Sequence, residues 1–142
     1  MPYAGRTTIV LGADGFLGRH FVAYARERGW PVHPIGRAAG DLTEPGVADS
    51  AFAAAPAAAR IVHAVTKQRT GAVQYGLQGE LLRDNARIHL NVLEAWRRYQ
   101  PQAKLISLGS SCVYPESPRP VAESAFGSGP PHPSVRGYAL AK

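Results

Sequence analysis

The sequence predicts an α/β fold built on a parallel, doubly wound sheet of the Rossmann type. Two observations predict it: short runs of β-branched and aliphatic residues alternate with helical segments, and a glycine triplet stands between the first run and the helix after it. Strands that alternate with helices form a parallel sheet with right-handed crossovers, and such sheets bind ligands at the carboxyl ends of their strands. About five strands fit within the 142 residues.

The first third of the chain supplies the first strands. Residues 7–12 are a short β-branched run, and the glycine loop after them leads into an amphipathic helix that ends at Gly29. Residues 31–35 predict the second strand. Residues 40–43 follow Arg37 too closely to leave room for a helix, so they predict either a very short third strand or an extended turn.

The rest of the chain is divided by proline and glycine. It predicts a helix over residues 45–55, a strand over 60–65, a polar loop over 66–79, a long helix over 80–99 and a strand over 104–108. Six of the twelve prolines fall within residues 115–133, which predicts an ordered loop or lid.

Composition narrows the class of protein. The net charge of +6 is scattered along the chain, whereas nucleic-acid-binding proteins usually cluster their basic residues, so we expect a smaller anionic partner such as a phosphate-bearing cofactor. The single cysteine cannot form an internal disulfide, which fits a reducing compartment. Because no signal-peptide layout and no run of about 18 apolar residues occurs, we expect a cytoplasmic protein without a membrane span.

The glycine loop is the most informative motif. Gly12, Gly15 and Gly18 have the spacing G-x-x-G-x-x-G, and they stand between a strand and a helix. There they would permit a tight turn, close approach of a dinucleotide pyrophosphate and helix-on-strand packing, respectively. The alternative is a purely structural turn. Asp14 is an acid beside this proposed anion site, which is an objection if its carboxylate points inward.

Arg37 follows the second strand, where the adenosine ribose of a dinucleotide would lie. An acid there would bind the 2′-hydroxyl, whereas a cation accommodates a 2′-phosphate, so the sequence favours NADP over NAD. The alternative is a solvated surface arginine. Asp41 and Leu42 are candidates to border the adenine, although Asp41 also suits a capping role.

Tyr138 and Lys142 are four residues apart, so they share one face if the segment is helical. A nearby ammonium stabilises a phenolate, which makes a tyrosine a usable acid or base near neutral pH. Ser110 supplies a hydroxyl after the last predicted strand. A cofactor loop, a serine and this tyrosine–lysine pair, in that order, predict a site for proton and hydride transfer.

These motifs together resemble the extended short-chain dehydrogenase/reductases, the NAD-dependent epimerase/dehydratase family that acts on nucleotide sugars. The resemblance covers essentially the whole chain and rests on residues 12–18, 61–64, 85, 91–95 and 138–142. Within the family, residues 108–115 and 121–124, and the abrupt connection from Arg37 to Asp41, are most similar to the epimerase/reductases of GDP-4-keto-6-deoxy-mannose.

The resemblance implies roles in the reaction for four residues. Ser110 would hydrogen-bond the C4 oxygen of the sugar, Tyr138 would donate a proton to that oxygen, and Lys142 would bind the cofactor ribose and tune Tyr138. Cys112 would move protons at C3 and C5 during epimerisation, a task that suits a thiol; the alternative is a small core cysteine. Phe16, Leu17, Ala64 and Val65 would join the glycines in binding the cofactor.

The resemblance also implies what lies beyond this chain. Members of the family continue after the lysine with further strands and a small substrate-binding domain, so we expect residues 1–142 to be an NAD(P)-binding domain with an incomplete sheet. Such a domain would need a complementing C-terminal half or a homodimer to act on a GDP-sugar, and alone we expect it to be inactive.

Other interpretations remain open at this point. The chain could be a non-catalytic dinucleotide-binding module that acts through a partner chain, or another NAD-dependent nucleotide-sugar epimerase or dehydratase. His63 is expected to be a strand residue and not a ligand, and no cluster has metal-ligand spacing. Asn85 and Asn91 would support the cofactor loop or cap packing.

Overall fold

The computed structural model describes residues 6–68 and 71–142, and in them a single parallel sheet is flanked by helices. The strands are β1 (Thr8–Leu11), β2 (Val32–Ile35), β3 (Arg60–His63) and β4 (Lys104–Ser107). The helices are α1 (Phe16–Glu27), α2 (Val47–Ala54), α3 (Val73–Gly76), α4 (Gln78–Tyr99) and α5 (Arg136–Leu140). The described residues also form 3-10 turns at Arg37–Ala39, Ser111–Val113, Glu123–Ala125 and Pro133–Val135.

The predicted fold class is confirmed, but the sheet of the described residues has four strands and not five. Residues 40–43 form turns instead of a third strand, so the extended-turn alternative is correct. The cause is local: the 3-10 turn at Arg37–Ala39 ends at Gly40, which has a φ of +109°. Asp41 then accepts the backbone N–H of Thr43, which keeps the chain turning.

Several predicted boundaries shift by a few residues. Helix α2 begins at Val47, after Gly46 in a left-handed conformation with a φ of +85°. The predicted polar loop contains α3, and positions 69 and 70 of that loop lie outside the described residues. The proline-rich segment is a loop with a 3-10 turn and a bridge between Pro115 and Pro131.

The sheet has the order β2-β1-β3-β4, with every neighbouring pair parallel. Its register aligns the last residues of the four strands, which are Ile35, Leu11, His63 and Ser107. The segments that leave the sheet at these points therefore begin side by side, at the edge where such sheets bind ligands.

The core lies on both faces of the sheet. Alternate residues of β1 point to opposite faces. Ile9 and Leu11 join a large cluster with Phe52 of α2 and Ile88 and Val92 of α4. On the other face, Val10 of β1 and Val62 of β3 pack with Ala13 and Val22 in a smaller cluster. Burial of these aliphatic side chains, at roughly 1.5–3 kcal/mol each, stabilises the strands that carry the glycine loop.

The described residues divide into two compact units. The first comprises residues 6–65 and 88–108 and contains the whole sheet. The second comprises residues 66–68, 71–87 and 109–142 and contains α3, the start of α4 and α5. The predicted cofactor residues lie in the first unit, and the predicted catalytic residues lie in the second.

Candidate functional site

The glycine loop between β1 and α1 is folded tightly against the end of β2. Gly12 has a φ of +79°, a conformation that side-chain-bearing residues rarely adopt. The amides of Gly12 and Ala13 both donate to the carbonyl oxygen of Ile35, at 2.9 and 3.1 Å. These bonds hold the loop at the carboxyl ends of β1 and β2, as the sequence predicted.

Of the three glycines of this loop, Gly18 leaves no room for a side chain, and Gly12 and Gly15 leave very little. A Cβ on Gly18 would overlap the carbonyl group of Gly12, and a Cβ on Gly15 would lie 3.1 Å from that carbonyl oxygen. A Cβ on Gly12 itself would lie 3.1 Å from Cγ2 of Val65 and 3.2 Å from the carbonyl carbon of Ala64, directly after β3. Larger residues at these positions would push the loop, α1 and the segment after β3 apart.

Helix α1 begins at this loop with its amide groups uncapped by a side chain. Its N-cap residue, Gly15, has no side chain, and no acid lies in the first turn. Phe16 and Leu17, in the same turn, are exposed. Free N–H groups and the helix dipole favour an anion at a helix N-terminus, so this glycine-lined cradle fits the pyrophosphate of a dinucleotide.

Asp14 joins the glycine loop to the segment after β2. Its Oδ2 accepts a hydrogen bond from the backbone N–H of Arg37 at 2.6 Å. Its carboxylate lies over Gly36, because a Cβ at Gly36 would overlap both of its oxygens. The side chain of Arg37 is exposed at the end of β2. Both residues were singled out by sequence, but no local pattern indicated that they are linked.

Asp41 and Leu42, the other residues predicted near the adenine, have structural contacts. Oδ1 of Asp41 accepts from the backbone N–H and from Oγ1 of Thr43, each at 2.9 Å. The side chain of Leu42 is buried in the core, and its carbonyl oxygen accepts from Nδ2 of Asn91 at 2.9 Å. The capping role weighed for Asp41 is therefore present, and Asn91 fastens the same turn.

In the second unit, Tyr138 and Lys142 come together as their spacing predicted. Tyr138 is buried in α5, and Nζ of Lys142 lies 5.9 Å from the centroid of its ring. Helix α5 ends at Leu140, and the chain continues in a turn in which Lys142 donates its backbone N–H to the carbonyl oxygen of Ala139 at 3.1 Å. Burial lowers the pKa of Lys142.

Ser110 precedes a 3-10 turn of the second unit, and Cys112 lies within that turn. The Ser110 Oγ accepts the backbone N–H of Cys112 at 3.2 Å, so the hydroxyl caps the turn at Ser111–Val113. This turn contacts α5, the helix that carries Tyr138. Cys112 is a half-buried free thiol. The second unit thus brings the serine turn and the tyrosine helix into contact.

Gln78, at the start of α4, is a residue that the sequence analysis missed. Its Oε1 accepts from the backbone N–H of Gly137 at 2.6 Å, and its Nε2 donates to the carbonyl oxygen of Ser134 at 2.9 Å. Gly137 has no room for a Cβ, which would overlap the Gln78 carbonyl. Gln78 therefore clamps the first turn of α5 next to Tyr138. A glutamine near a helix start gave no signal of a partner 59 residues away.

Asn85 holds the segment that follows β3. It is buried, its Nδ2 donates to the carbonyl oxygens of Lys67 and Leu81, each at 2.7 Å, and its Oδ1 accepts from the Lys67 N–H and from Oγ1 of Thr66. Both the oxygen and the nitrogen of its side-chain amide are thus used inside the second unit. Asn85 therefore has a packing role there.

His63 behaves as a strand residue, as predicted. It is buried at the end of β3, and its Nε2 lies 2.9 Å from Nδ1 of His89 on α4. Across the described ranges, no group of three His, Cys, Asp or Glu side chains is arranged to hold a metal ion. In the same ranges no helix combines the length and the apolar character that a bilayer crossing requires.

Known proteins share both the sequence pattern and the fold of this chain. The model of the NAD dependent epimerase/dehydratase family matches residues 8–142. A probable GDP-L-fucose synthase from Drosophila melanogaster is 28% identical over 145 aligned residues, which cover 96% of this chain and 43% of that protein. The chain thus spans less than half the length of that relative.

Two solved structures share the fold of this chain. A GDP-L-fucose synthetase from Naegleria fowleri bound to NADP superposes with a TM-score of 0.82 at 22% identity, over 97% of this chain and 44% of that one. The UDP-glucose 4-epimerase of Thermus thermophilus in complex with NAD gives a TM-score of 0.77 at 25% identity, over 96% and 47% of the two chains. The predicted resemblance to epimerase/reductases of a GDP-linked sugar agrees with the names of the GDP-L-fucose synthase relatives.

Proposed function

This chain belongs to the NAD dependent epimerase/dehydratase family, and from that premise we propose that it is the cofactor-binding and proton-transferring portion of a nucleotide-sugar epimerase/reductase. The observation that carries the proposal is the glycine cradle. Gly12 and Gly18 exclude side chains at the uncapped N-terminus of α1, and that arrangement suits a dinucleotide pyrophosphate.

The cofactor is NADP in this proposal, with NAD as the alternative. Backbone amides at the start of α1 bind the pyrophosphate, because the amides of Gly12, Ala13 and Gly15 already donate to carbonyl oxygens of the protein. Arg37, at the end of β2, neutralises the 2′-phosphate. In this proposal Phe16, Leu17, Ala64 and Val65 line the loop side of the site. The turn of Asp41 and Leu42 lies towards the adenine, while the Leu42 side chain itself packs in the core. NADP in the related N. fowleri structure supports this choice.

In this proposal the second unit supplies the residue that donates a proton to the substrate. When bound, the reduced nicotinamide supplies a hydride to the C4 carbonyl of the sugar. Tyr138 donates a proton to the C4 oxygen, and the hydroxyl of Ser110 hydrogen-bonds that oxygen. Lys142 holds its charge beside the Tyr138 ring, where it stabilises the phenolate that remains after proton donation.

Cys112 distinguishes an epimerase/reductase from a simple reductase. Cys112 is half-buried, and its backbone N–H donates to the Ser110 hydroxyl oxygen at 3.2 Å, so the two residues belong to the same turn. We assign it the protons at C3 and C5 of the sugar. The substrate class is a GDP-4-keto-6-deoxy sugar, which the name of the Drosophila relative supports.

The rest of the substrate site is proposed to come from a C-terminal half, joined covalently or as a second chain, within a cytoplasmic homodimer. Residues 1–142 are then the NAD(P)-binding domain, inactive when alone.

The complemented enzyme, residues 1–142 together with the C-terminal half, should consume NADPH with GDP-4-keto-6-deoxy-mannose. Cys112→Ser should abolish solvent deuterium incorporation at C3 and C5 while reduction of the 4-keto group continues. Loss of both activities, or of neither, would contradict the role of Cys112.

One observation favours a second candidate function, a non-catalytic module that binds a partner chain. In the part of the chain that the structure describes, β4 is an edge strand, and three of its four residues are exposed. Exposed strand edges promote association. Dinucleotide binding without turnover by the complemented protein, together with partner-dependent protection of the amides of β4 from hydrogen exchange, would favour this function over catalysis.

A further inference from the structure

We infer that Asp14 is a second determinant of cofactor choice, which opposes Arg37 by placing a negative charge beside the 2′ position of the adenosine ribose. The inference rests on the proposed function, because it concerns the same dinucleotide site. It makes the chain less selective for NADP than Arg37 alone would make it.

The first step is the position of the carboxylate. Asp14 belongs to the glycine loop, but its carboxylate is directed at the end of β2. Its Oδ2 accepts the backbone N–H of Arg37 at 2.6 Å, and both of its oxygens lie over Gly36. Gly36 directly follows β2, and this is the point at which dinucleotide-binding folds distinguish a 2′-hydroxyl from a 2′-phosphate.

The second step is the sign of the charges. An acid at this point accepts a hydrogen bond from the 2′-hydroxyl of NAD, whereas an arginine accommodates the 2′-phosphate of NADP. Here Arg37 supplies the cation and Asp14 supplies the acid from a different element. A phosphate monoester carries between one and two negative charges near neutral pH, so the carboxylate of Asp14 repels it.

The third step separates the charge of Asp14 from its structural role. The N–H of Arg37 opens the 3-10 turn at Arg37–Ala39, and the N-cap residue of that turn, Gly36, has no side chain. Asp14 therefore caps this turn from the glycine loop. Asparagine at position 14 keeps an oxygen that can accept the same N–H but removes the charge, so Asp14→Asn tests the charge alone.

The experiment is a calorimetric titration of the 142-residue chain with NADPH and with NADH. Asp14→Asn should raise the ratio of the NADH to the NADPH dissociation constant by about fivefold at low salt, as expected for one screened unit charge a few ångströms away. The increase should shrink as salt is added. Glu27→Gln is the matched control, because it removes one negative charge at the other end of α1 and should leave the ratio unchanged.

The same substitution made in an Arg37→Ala protein distinguishes direct repulsion of the 2′-phosphate by Asp14 from an indirect effect through the position of Arg37. If Asp14 repels the phosphate directly, Asp14→Asn should still raise the ratio in an Arg37→Ala protein. If Asp14 only positions Arg37, the effect should disappear there, and the inference is wrong. Equal changes in both affinities would also overturn it. Absence of binding by the unmodified chain to either dinucleotide would instead refute the proposed function, and the inference with it.

Discussion

The ammonium nitrogen of Lys142 lies 5.9 Å from the centroid of the Tyr138 ring, and burial lowers the pKa of this lysine. The two residues are held together although α5 ends at Leu140, because Ala141 donates its N–H to the carbonyl oxygen of Tyr138 at 3.2 Å and so continues the turn. The spacing that suggested a shared helical face is therefore realised just beyond the end of the helix.

The lowered pKa of Lys142 predicts a dependence of stability on pH. The unfolded lysine titrates near its ordinary value of 10.5, and the folded one titrates below it. Between these two values the unfolded state binds more protons, so stability rises with pH through that window, and below the folded pKa the cost of burying the charge is constant.

Thermal unfolding of Lys142→Met and of the unmodified chain, followed from pH 8 to about pH 10.5, tests this prediction. The unmodified chain should gain in melting temperature relative to the variant as pH rises. Lys104→Met, at an exposed position on β4, is the control and should show no such relative gain. A relative loss for the unmodified chain at high pH would contradict the burial of Lys142.

Gln78 is predicted to stabilise the tyrosine helix. Gln78→Ala removes the acceptor of the Gly137 N–H and the donor to Ser134, and loss of partners for part-buried polar groups costs about 1–3 kcal/mol. Urea unfolding should show this loss, and the Gly137 amide should lose protection from hydrogen exchange. Gln102→Ala, at an exposed turn, is the control and should change neither the stability to urea nor the protection of the Gly137 amide. Normal protection of that amide in Gln78→Ala would show that Gln78 does not hold the first turn of α5.

The contrast between Tyr138 and Gln78 shows what the sequence could predict. A tyrosine and a lysine at helical spacing interact locally, so their proximity follows from the chain itself. Gln78 and Gly137 are 59 residues apart, and their hydrogen bond depends on how the loop after residue 108 returns to α4. No local pattern encodes that return.

Gly18 is predicted to tolerate no side chain. In Gly18→Ala the new methyl group would overlap the Gly12 carbonyl, and relief by backbone movement costs about 1–3 kcal/mol. Both the melting temperature and affinity for NADPH should fall. Gly79→Ala is the control, because a Cβ there meets nothing within 4 Å in the described structure and alanine favours a helix by about 0.5–1 kcal/mol. An unchanged melting temperature in Gly18→Ala would be inconsistent with the close packing of the loop.

Arg37 is predicted to recognise the 2′-phosphate. Arg37→Ala should lower the affinity for NADPH by about tenfold. A charge-assisted hydrogen bond is worth roughly 1.5–3 kcal/mol, and the lower end applies here because this side chain is exposed to solvent. The affinity for NADH, which lacks the phosphate, should change little. Fluorescence titration with both cofactors measures this difference, and equal losses would refute the role of Arg37. Arg26→Ala, on the exposed surface of α1, serves as the control.

The missing third strand shows a second limit of the sequence. The sequence of residues 40–43 left two alternatives, a very short strand or an extended turn. The turn forms because Gly40 has a positive φ and Asp41 accepts the backbone N–H of Thr43. By contrast, the glycine loop was predictable because three glycines at this spacing, between a strand and a helix, allow the tight turn and close packing that such a loop needs. The hydrogen bond from the Arg37 N–H to the Asp14 carboxylate joins two segments that are distant in the sequence. No pattern within either segment predicts this bond.

The central claim is that the glycine loop and the start of α1 bind the dinucleotide. Amide proton–nitrogen correlation spectra of the 142-residue chain, recorded as NADPH is added, test it most directly. The account predicts saturable shifts of the Gly12, Gly15 and Gly18 amides and of Arg37, with little change at Asp49 on α2. Binding that leaves the loop amides unmoved, or no binding at all, would contradict it.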